Sequence, residues 1–243
     1  MPGTLYIVAT PIGNLQDITA RALLILKEVS VIFCEDTRVT KKLLNHFDIK
    51  TPVDSFHQHS DRAKSVKILE LLKSGKNLAL VTDAGTPGIS DPGNELVKFV
   101  RNNLPEASIV PVPGVSAVVA ALSVSGFPTD KFIFFGFPPH KNKRQKFFQE
   151  VGRAQYTAVF YESCHRIKKA LNELAQWLPP DTQIFIAREL TKKFESFYYG
   201  KIREIMDMEI PEKGEFVVIV SPNIRKKNTN IRITKNTYSE PCS

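Results

Sequence analysis

Apolar residues fall into short blocks along this chain, and the blocks change character near its middle. In the first half, compact runs at 4–9, 29–34, 53–56, 78–82 and 108–112 predict buried strands. Leu5-Tyr6-Ile7-Val8-Ala9 and Leu78-Ala79-Leu80-Val81 are almost wholly apolar, as strands covered on both faces are. Between these runs the spacing turns helical near 17–27, 37–47, 61–74 and 92–103. Local signals mark the ends. Asp17 stands before Ile18 and an apolar stripe, where an N-cap belongs. Gly75 closes the helix that carries Val66, Ile68, Leu69, Leu71 and Leu72. Asp91-Pro92 reads as an N-cap followed by a proline at the first helical position. Strand and helix in alternation predict a parallel sheet covered on both faces.

The second half is more aromatic and β-branched. Strands are predicted at 132–136, 157–161, 183–187, 195–199 and 215–221, with helices at 114–124, 142–151, 164–177 and 201–207. A short connector joins 183–187 to 195–199, so this sheet is expected to be antiparallel or mixed. The change falls at Pro111-Val112-Pro113-Gly114, where prolines stiffen a crossover. We therefore expect one domain over 1–112 and another over 113–222. Beyond that, Arg225-Lys226-Lys227-Asn228-Thr229-Asn230 opens a polar stretch, 223–243, expected to be a mobile tail.

Composition narrows the class. An apolar fraction of 42% over 243 residues supports an ordinary globular core. No apolar run approaches the ~20 residues that span a bilayer, and the start lacks the pattern of a signal peptide. Cys34, Cys164 and Cys242 are far apart and form neither a C-x-x-C pair nor zinc spacing, so a reducing cytoplasm is expected. A net charge of +8 fits either a polyanionic partner or simple solubility.

The candidate chemistry sits at strand ends. Thr10-Pro11-Ile12-Gly13-Asn14 follows the first strand, and Asp83-Ala84-Gly85-Thr86-Pro87-Gly88 follows the fourth. Open α/β sheets bind ligands at such carboxyl ends. No G-x-G-x-x-G and no Gly-Lys-Ser/Thr follows, so the pocket is not built for a pyrophosphate. Asp83 has the chemistry to accept from a ribose or an amine, with a plain turn as the alternative. Pro113-Gly114-Val115-Ser116-Ala117 presents either helix N–H groups to a carboxylate or a plain cap. Glu35-Asp36-Thr37-Arg38 either orients a polar substrate or caps the next helix through Asp36 or Thr37. Two further clusters are Phe160-Tyr161-Glu162-Ser163 with His165-Arg166, and Ala187-Arg188-Glu189-Leu190-Thr191-Lys192. Their charges suit a site or an ion pair of Arg188 with Glu162. His57-x-His59 with Asp61 is a metal candidate weighed against a polar loop. Lys141-Asn142-Lys143-Arg144-Gln145-Lys146, after Phe137-Pro138-Pro139-His140, is either a phosphate contact or a solvated helix face.

Taken in order over residues 3 to 221, these loops resemble the tetrapyrrole-methylase-like S-adenosylmethionine methyltransferases, in particular their ribosomal RNA branch. The resemblance is carried by Thr4 to Leu15 with Asp17-Ile18, then by the Glu35, Asp83, Pro113, Phe160 and Ala187 motifs. It implies a two-domain α/β fold, an N-terminal parallel-sheet domain plus a C-terminal mixed-sheet domain. It implies S-adenosylmethionine in the cleft between them, a homodimer, and no metal; no membrane partner is expected, for want of a long apolar run. The implied reaction is methyl transfer to a cytidine ribose 2′-hydroxyl in the decoding region of 16S rRNA. By position in the motifs, Pro11, Asp83, Ala84, Gly85, Pro113, Gly114, Ser116, Ala117, Tyr161, Glu162 and Ala187 are expected at the cofactor. Glu189 and Lys192 are the candidates for assisting the 2′-oxygen; as a base, Lys192 needs a lowered pKa. Arg38, Lys141, Lys143, Arg144, Lys146 and Arg166 are expected at RNA. Porphyrin-acting members carry a glycine-rich G-x-G-P-G-D first loop, and Thr10-Pro11-Ile12-Gly13-Asn14 replaces it here. That argues against a tetrapyrrole substrate. Many rRNA-branch members also carry a C-terminal helical extension, where this chain has a short polar segment. The alternatives are a small-molecule methylase of the tetrapyrrole type and a non-catalytic RNA-binding module.

Overall fold

A computed structural model describes residues 1–56 and 62–222. Every expected strand and helix forms, with shifted ends. The first sheet holds β1 (Leu5–Val8), β2 (Val31–Cys34), β3 (Val53–Ser55), β4 (Leu78–Leu80) and β5 (Ile109–Val112). Its order is β3-β2-β4-β1-β5, and all pairs are parallel. The connecting helices are α1 (Ala20–Glu28), α2 (Thr37–His46), α3 (Arg62–Lys73) and α4 (Gly93–Asn103). Alternation along the strands sends Val8, Ile32 and Ala79 to one face, against Leu26 of α1 and Leu44 of α2. Leu5, Phe33 and Leu80 face the other way, against Leu72 of α3 and Leu96 of α4.

Crossover handedness explains this split. From β1 to β3 the chain moves one way across the sheet; from β3 to β5 it moves back. Right-handed crossovers then place α1 and α2 on one face and α3 and α4 on the other. The strands β1 and β4 are neighbours whose connections leave in opposite directions. A crevice opens at their carboxyl ends, which is where such sheets bind ligands.

Two helix starts differ from expectation. Asp17 does not cap α1. It ends a 3-10 turn, Leu15–Asp17, and the extended backbone at Ile18 (φ −72°, ψ 138°) stops a helix from beginning there. Thr19 caps α1 instead, its Oγ1 accepting from the Ala22 N–H at 3.1 Å. At α4 the N-cap position falls on Pro92 rather than Asp91 and the helix begins at Gly93; Asp91, one residue before the cap, accepts from the Gly93 and Gly88 N–H groups at 2.7 Å. Gly75 ends α3 as expected, donating to the Leu72 carbonyl at 2.9 Å.

The chain leaves the first sheet at Val112 and enters α5 (Ala117–Ser125). The second sheet holds β6 (Phe132–Phe134), β7 (Thr157–Ser163), β8 (Gln183–Arg188), β9 (Ser196–Lys201) and β10 (Glu215–Val220). Its order is β6-β7-β10-β8-β9, parallel only at β6–β7. Helices α6 (Arg144–Arg153), α7 (Ile167–Ala175) and α8 (Ile202–Asp207) cover the face bearing Phe160, Ile186, Phe216 and Val218. Helix α5 covers the other, with Val118, Ala121 and Leu122 against Val159, Phe185 and Val217. Ile12, from the loop after β1, packs into this same cluster. A first-sheet loop is therefore part of the second sheet's core.

Cys34 and Cys164 are free thiols, while His57, His59, Asp61, Cys242 and the whole of 223–243 lie outside the described residues. Among the described residues no helix is long and apolar enough to cross a membrane, and no group of three His, Cys, Asp or Glu side chains is placed to hold a metal.

Candidate functional site

The loops after β1 and β4 meet. Thr10 and Gly85 exchange backbone hydrogen bonds of 2.9 and 3.0 Å, and Thr10 Oγ1 donates to the Thr82 carbonyl at 3.0 Å. Gly85 has φ +85°, a conformation glycine alone adopts without strain. The β1 loop then reaches the other half of the molecule. Asn14 N–H donates to Thr191 Oγ1 at 3.0 Å. A Cβ at Gly13 would lie 2.4 Å from Lys192 Cγ and 2.8 Å from Thr191 Oγ1, so only glycine permits this approach. The turn it touches is itself strained: Glu189 and Thr191 have φ of +52° and +64°. Left-handed backbone costs a non-glycine residue about 1–2 kcal/mol, and such strain collects at functional sites.

Over this junction lies a cavity of about 370 Å³. Eight expected cofactor residues line it: Asp83, Ala84, Gly85, Ser116, Ala117, Tyr161, Glu162 and Ala187. Pro11, Pro113 and Gly114 do not. Pro11 is buried within the β1 loop, and Gly114 lies so close to the end of β1 that a Cβ would sit 2.9 Å from Ala9 Cβ. Lys192 lines the cavity; Glu189 stands behind it. The lining also holds residues outside the expected cofactor set: Ile12 and Leu190, which lie within the candidate loops, and Ile89, Phe137, Glu215, Phe216 and Val217, which the sequence did not point to. Val217 shows why. It pairs with Tyr161 on one side and Ala187 on the other, and only this register sets the three in one row. The visible signal was the end of an apolar strand, which does not say which strands become neighbours.

Electrostatics give each group a role. Burial pushes the Asp83 carboxyl up, opposed by the Asp36 N–H that it accepts at 3.0 Å. Asp36 caps α2, accepting from the Arg38 N–H at 2.8 Å, and pairs with the guanidinium at 2.6 Å. Those hydrogen bonds hold its carboxyl at about 2. In Glu35-Asp36-Thr37-Arg38 the cap is formed by Asp36, while Glu35 lines the cavity and Arg38 is exposed. Burial raises the Tyr161 phenol, so it stays protonated near neutrality. At Lys192, burial pushes the pKa down, but Glu215 and Glu189, each 2.9 Å away, outweigh it and raise it overall. A base at this position needs the opposite shift. Glu189 is held below the ordinary carboxylate value: burial raises it, and Lys192 with the Glu215 N–H more than compensates.

The chain matches the tetrapyrrole (corrin/porphyrin) methylases over residues 4–206. It belongs to the tetrapyrrole methylase family. It is 45% identical over 228 residues to the ribosomal RNA small subunit methyltransferase I of Halalkalibacterium halodurans, covering 92% of this chain and 78% of that one. It is 44% identical to the protein of that name from Leptospira biflexa, covering 93% of each. Among solved structures, it superposes on the methyltransferase CobJ with TM-score 0.67 at 19% identity, over 91% of this chain and 95% of that one. On diphthine synthase the TM-score is 0.69 at 13% identity, over 90% of each. At those identities the superpositions show a shared fold, the two-sheet α/β architecture of the methylase family.

In this methylase the expected RNA-facing cations part company. Lys141, Lys143 and Lys146 are exposed. Arg144 is 5% exposed and belongs to the core. Positions 144, 147, 148 and 151 share one face of α6, and the other three are Phe147, Phe148 and Val151. The guanidinium lies 5.0 Å from the Phe148 ring centroid, donates to Glu173 at 2.5 Å and pairs with Glu162 at 3.3 Å. Arg166 binds the other Glu162 oxygen at 3.0 Å and donates to Ser163 Oγ. A carboxylate with no exposed side-chain surface requires such partners. Both arginines therefore hold a wall of the cavity. The alternative pair, Arg188 with Glu162, does not form; Arg188 donates to the carbonyls of Lys213 at 2.7 Å and Phe194 at 3.0 Å.

Proposed function

We propose that this chain transfers a methyl group from S-adenosylmethionine to the ribose 2′-hydroxyl of a cytidine in the decoding region of 16S rRNA. The observation that carries this is the cavity itself. It gathers the matching motifs from both halves at the switch point of the first sheet, in a chain 45% identical to a small-subunit rRNA methyltransferase. The lining suits the cofactor. Gly85, Ala117 and Ala187 let backbone approach closely, Asp83 can accept from a ribose, and Ser116, whose side chain makes no cap bond, opens α5 where a carboxylate is favoured. S-adenosylmethionine supplies a methyl group on a positively charged sulfur, already activated for displacement.

The protein's work is then mainly alignment of acceptor and donor. Lys192 adds charge. Two of its three N–H donors are spent on Glu189 and Glu215, and the third remains for the cavity it lines. A fixed ammonium beside a ribose oxygen favours its ionised form. Glu189 positions that ammonium. Methyl transfer from labelled S-adenosylmethionine into isolated small ribosomal subunits tests the proposal, with a tetrapyrrole as the competing acceptor. Label on the tetrapyrrole alone, or RNA binding with no transfer, overturns it.

Lys141, Lys143 and Lys146 are proposed to meet RNA phosphates. Changing all three to Ala should lower the log–log salt slope of RNA binding by roughly 0.7–0.9 per lost contact, with cofactor affinity unchanged. An unaltered slope would make them a solvated face. A homodimer is proposed as well, supported by apolar side chains left exposed on β9 and α5. Phe197, Tyr199 and Val119 are 47%, 59% and 60% exposed there, and Phe127 joins Tyr199 at a ring distance of 5.9 Å. A monomer mass in light scattering at micromolar concentration would refute it.

A further inference from the structure

Two large apolar side chains at the cavity are left in water. Phe137 is 52% exposed and Ile89 is 51% exposed, and both line the opening. They come from different halves of the chain, and their loops are adjacent: a Cβ on Gly136 would lie 3.6 Å from Ser90 Oγ. The other large aliphatic and phenylalanine side chains of the wall, Ile12, Leu190, Phe216 and Val217, are all buried. Phe137 is also held firmly. Its ring lies 5.2 Å from that of Tyr161, which in turn lies 4.9 Å from Phe134. The Tyr161 N–H donates to the Gly136 carbonyl at 2.9 Å, pinning the backbone beside it. Four and six residues later come the exposed cations Lys141 and Lys143.

We propose that Phe137 is the stacking platform for the unpaired base of the target nucleotide, with Ile89 of the adjacent loop extending the apolar surface beside it. The inference rests on the rRNA reading above and adds how that site grips its substrate. A rigid aromatic ring with a free face, next to exposed positive charge, is the chemistry that holds a single-stranded nucleotide: the ring takes the base and the cations take its phosphates. A ribose hydroxyl inside a duplex cannot reach a cavity of this kind, so its nucleotide must be unstacked and needs a new stacking partner.

The test compares Phe137→Ala, Phe137→Leu and Phe137→Trp with wild type, on isolated small subunits, with cofactor binding followed by calorimetry. Phe137→Ala should lower kcat/KM for the subunit by about 10- to 100-fold, the range of one lost base stack. Phe137→Leu should lose nearly as much, because it restores apolar area without a π face. Phe137→Trp should stay near wild type. Cofactor affinity and the thermal midpoint should hold in all three. Cofactor affinity falling in step with activity would place Phe137 in the cofactor wall and overturn the proposal. Full activity in Phe137→Leu, or a change of mass in light scattering, would overturn it too. A wild-type protein that leaves the subunit unmethylated refutes the rRNA reading itself, whereas failure confined to the variants refutes only the platform.

Discussion

Arg144→Ala is expected to destabilise the folded chain by about 3–5 kcal/mol, the cost of stripping one partner from a buried ion pair. Glu162 has no exposed side-chain surface, and Arg144 is 5% exposed. Without Arg144, one Glu162 oxygen loses its cation, and Glu173 loses its 2.5 Å hydrogen bond. The guanidinium's packing on Phe148 is lost too. At roughly 2–4 °C per kcal/mol for a chain of this size, the midpoint should fall by about 6–20 °C. Calorimetry or urea unfolding measures it. Lys146→Ala is the control: its 3.8 Å contact with Glu150 is between exposed groups, and the change should stay within about 0.5 kcal/mol. A surface phosphate contact would behave in reverse, with stability kept and the RNA salt slope reduced. That outcome for Arg144 would refute its burial.

Lys192→Met is expected to lower kcat for rRNA methylation by about 100-fold, the usual scale for one preorganised charge at a reacting oxygen, with cofactor affinity little changed. The pH dependence distinguishes a fixed cation from a base. Lys192 has a raised pKa, so its ion pairs are fully present below the free-lysine value and are lost as pH rises through the raised one. Glu189 has a lowered pKa, so its share is present above the ordinary carboxylate value and is lost as pH falls through the lowered one. Between about pH 5 and pH 10 the Glu189–Lys192 pair keeps its charges, and Lys192 contributes no limb to the rate profile there. Lys192→Arg should retain most of the rate, because arginine supplies the charge and cannot act as a base near neutrality. A rising limb near neutrality that vanishes in Lys192→Met, together with an inactive Lys192→Arg, would establish a base instead.

The elements and the places where chemistry collects are legible in the order of amino acids. Near-continuous apolar strands such as Leu5–Val8 can only be buried on both faces, so alternation with helices already implied a covered parallel sheet. Loops such as Asp83-Ala84-Gly85 announced themselves because close backbone approach demands small residues, and Gly85 indeed takes a left-handed conformation. Helix starts were harder. Asp17 and Thr19 are both good caps, and the extended backbone at Ile18 chose between them.

Which charges face water and which strands meet depends on contacts between distant parts of the chain. In Lys141-Asn142-Lys143-Arg144-Gln145-Lys146 one local composition holds two fates. Lys141, Lys143 and Lys146 remain in solvent, while Arg144 turns inward because a buried carboxylate, Glu162, lies eighteen residues further on in β7. In the same way Val217 enters the cavity only because β10 inserts between β7 and β8. Gly13 is required because Thr191 and Lys192 fold back against it from across the molecule. Local sequence sets backbone preference and the periodicity of burial. It carries no record of the distant partner whose desolvated charge or packed side chain settles where a particular residue must point.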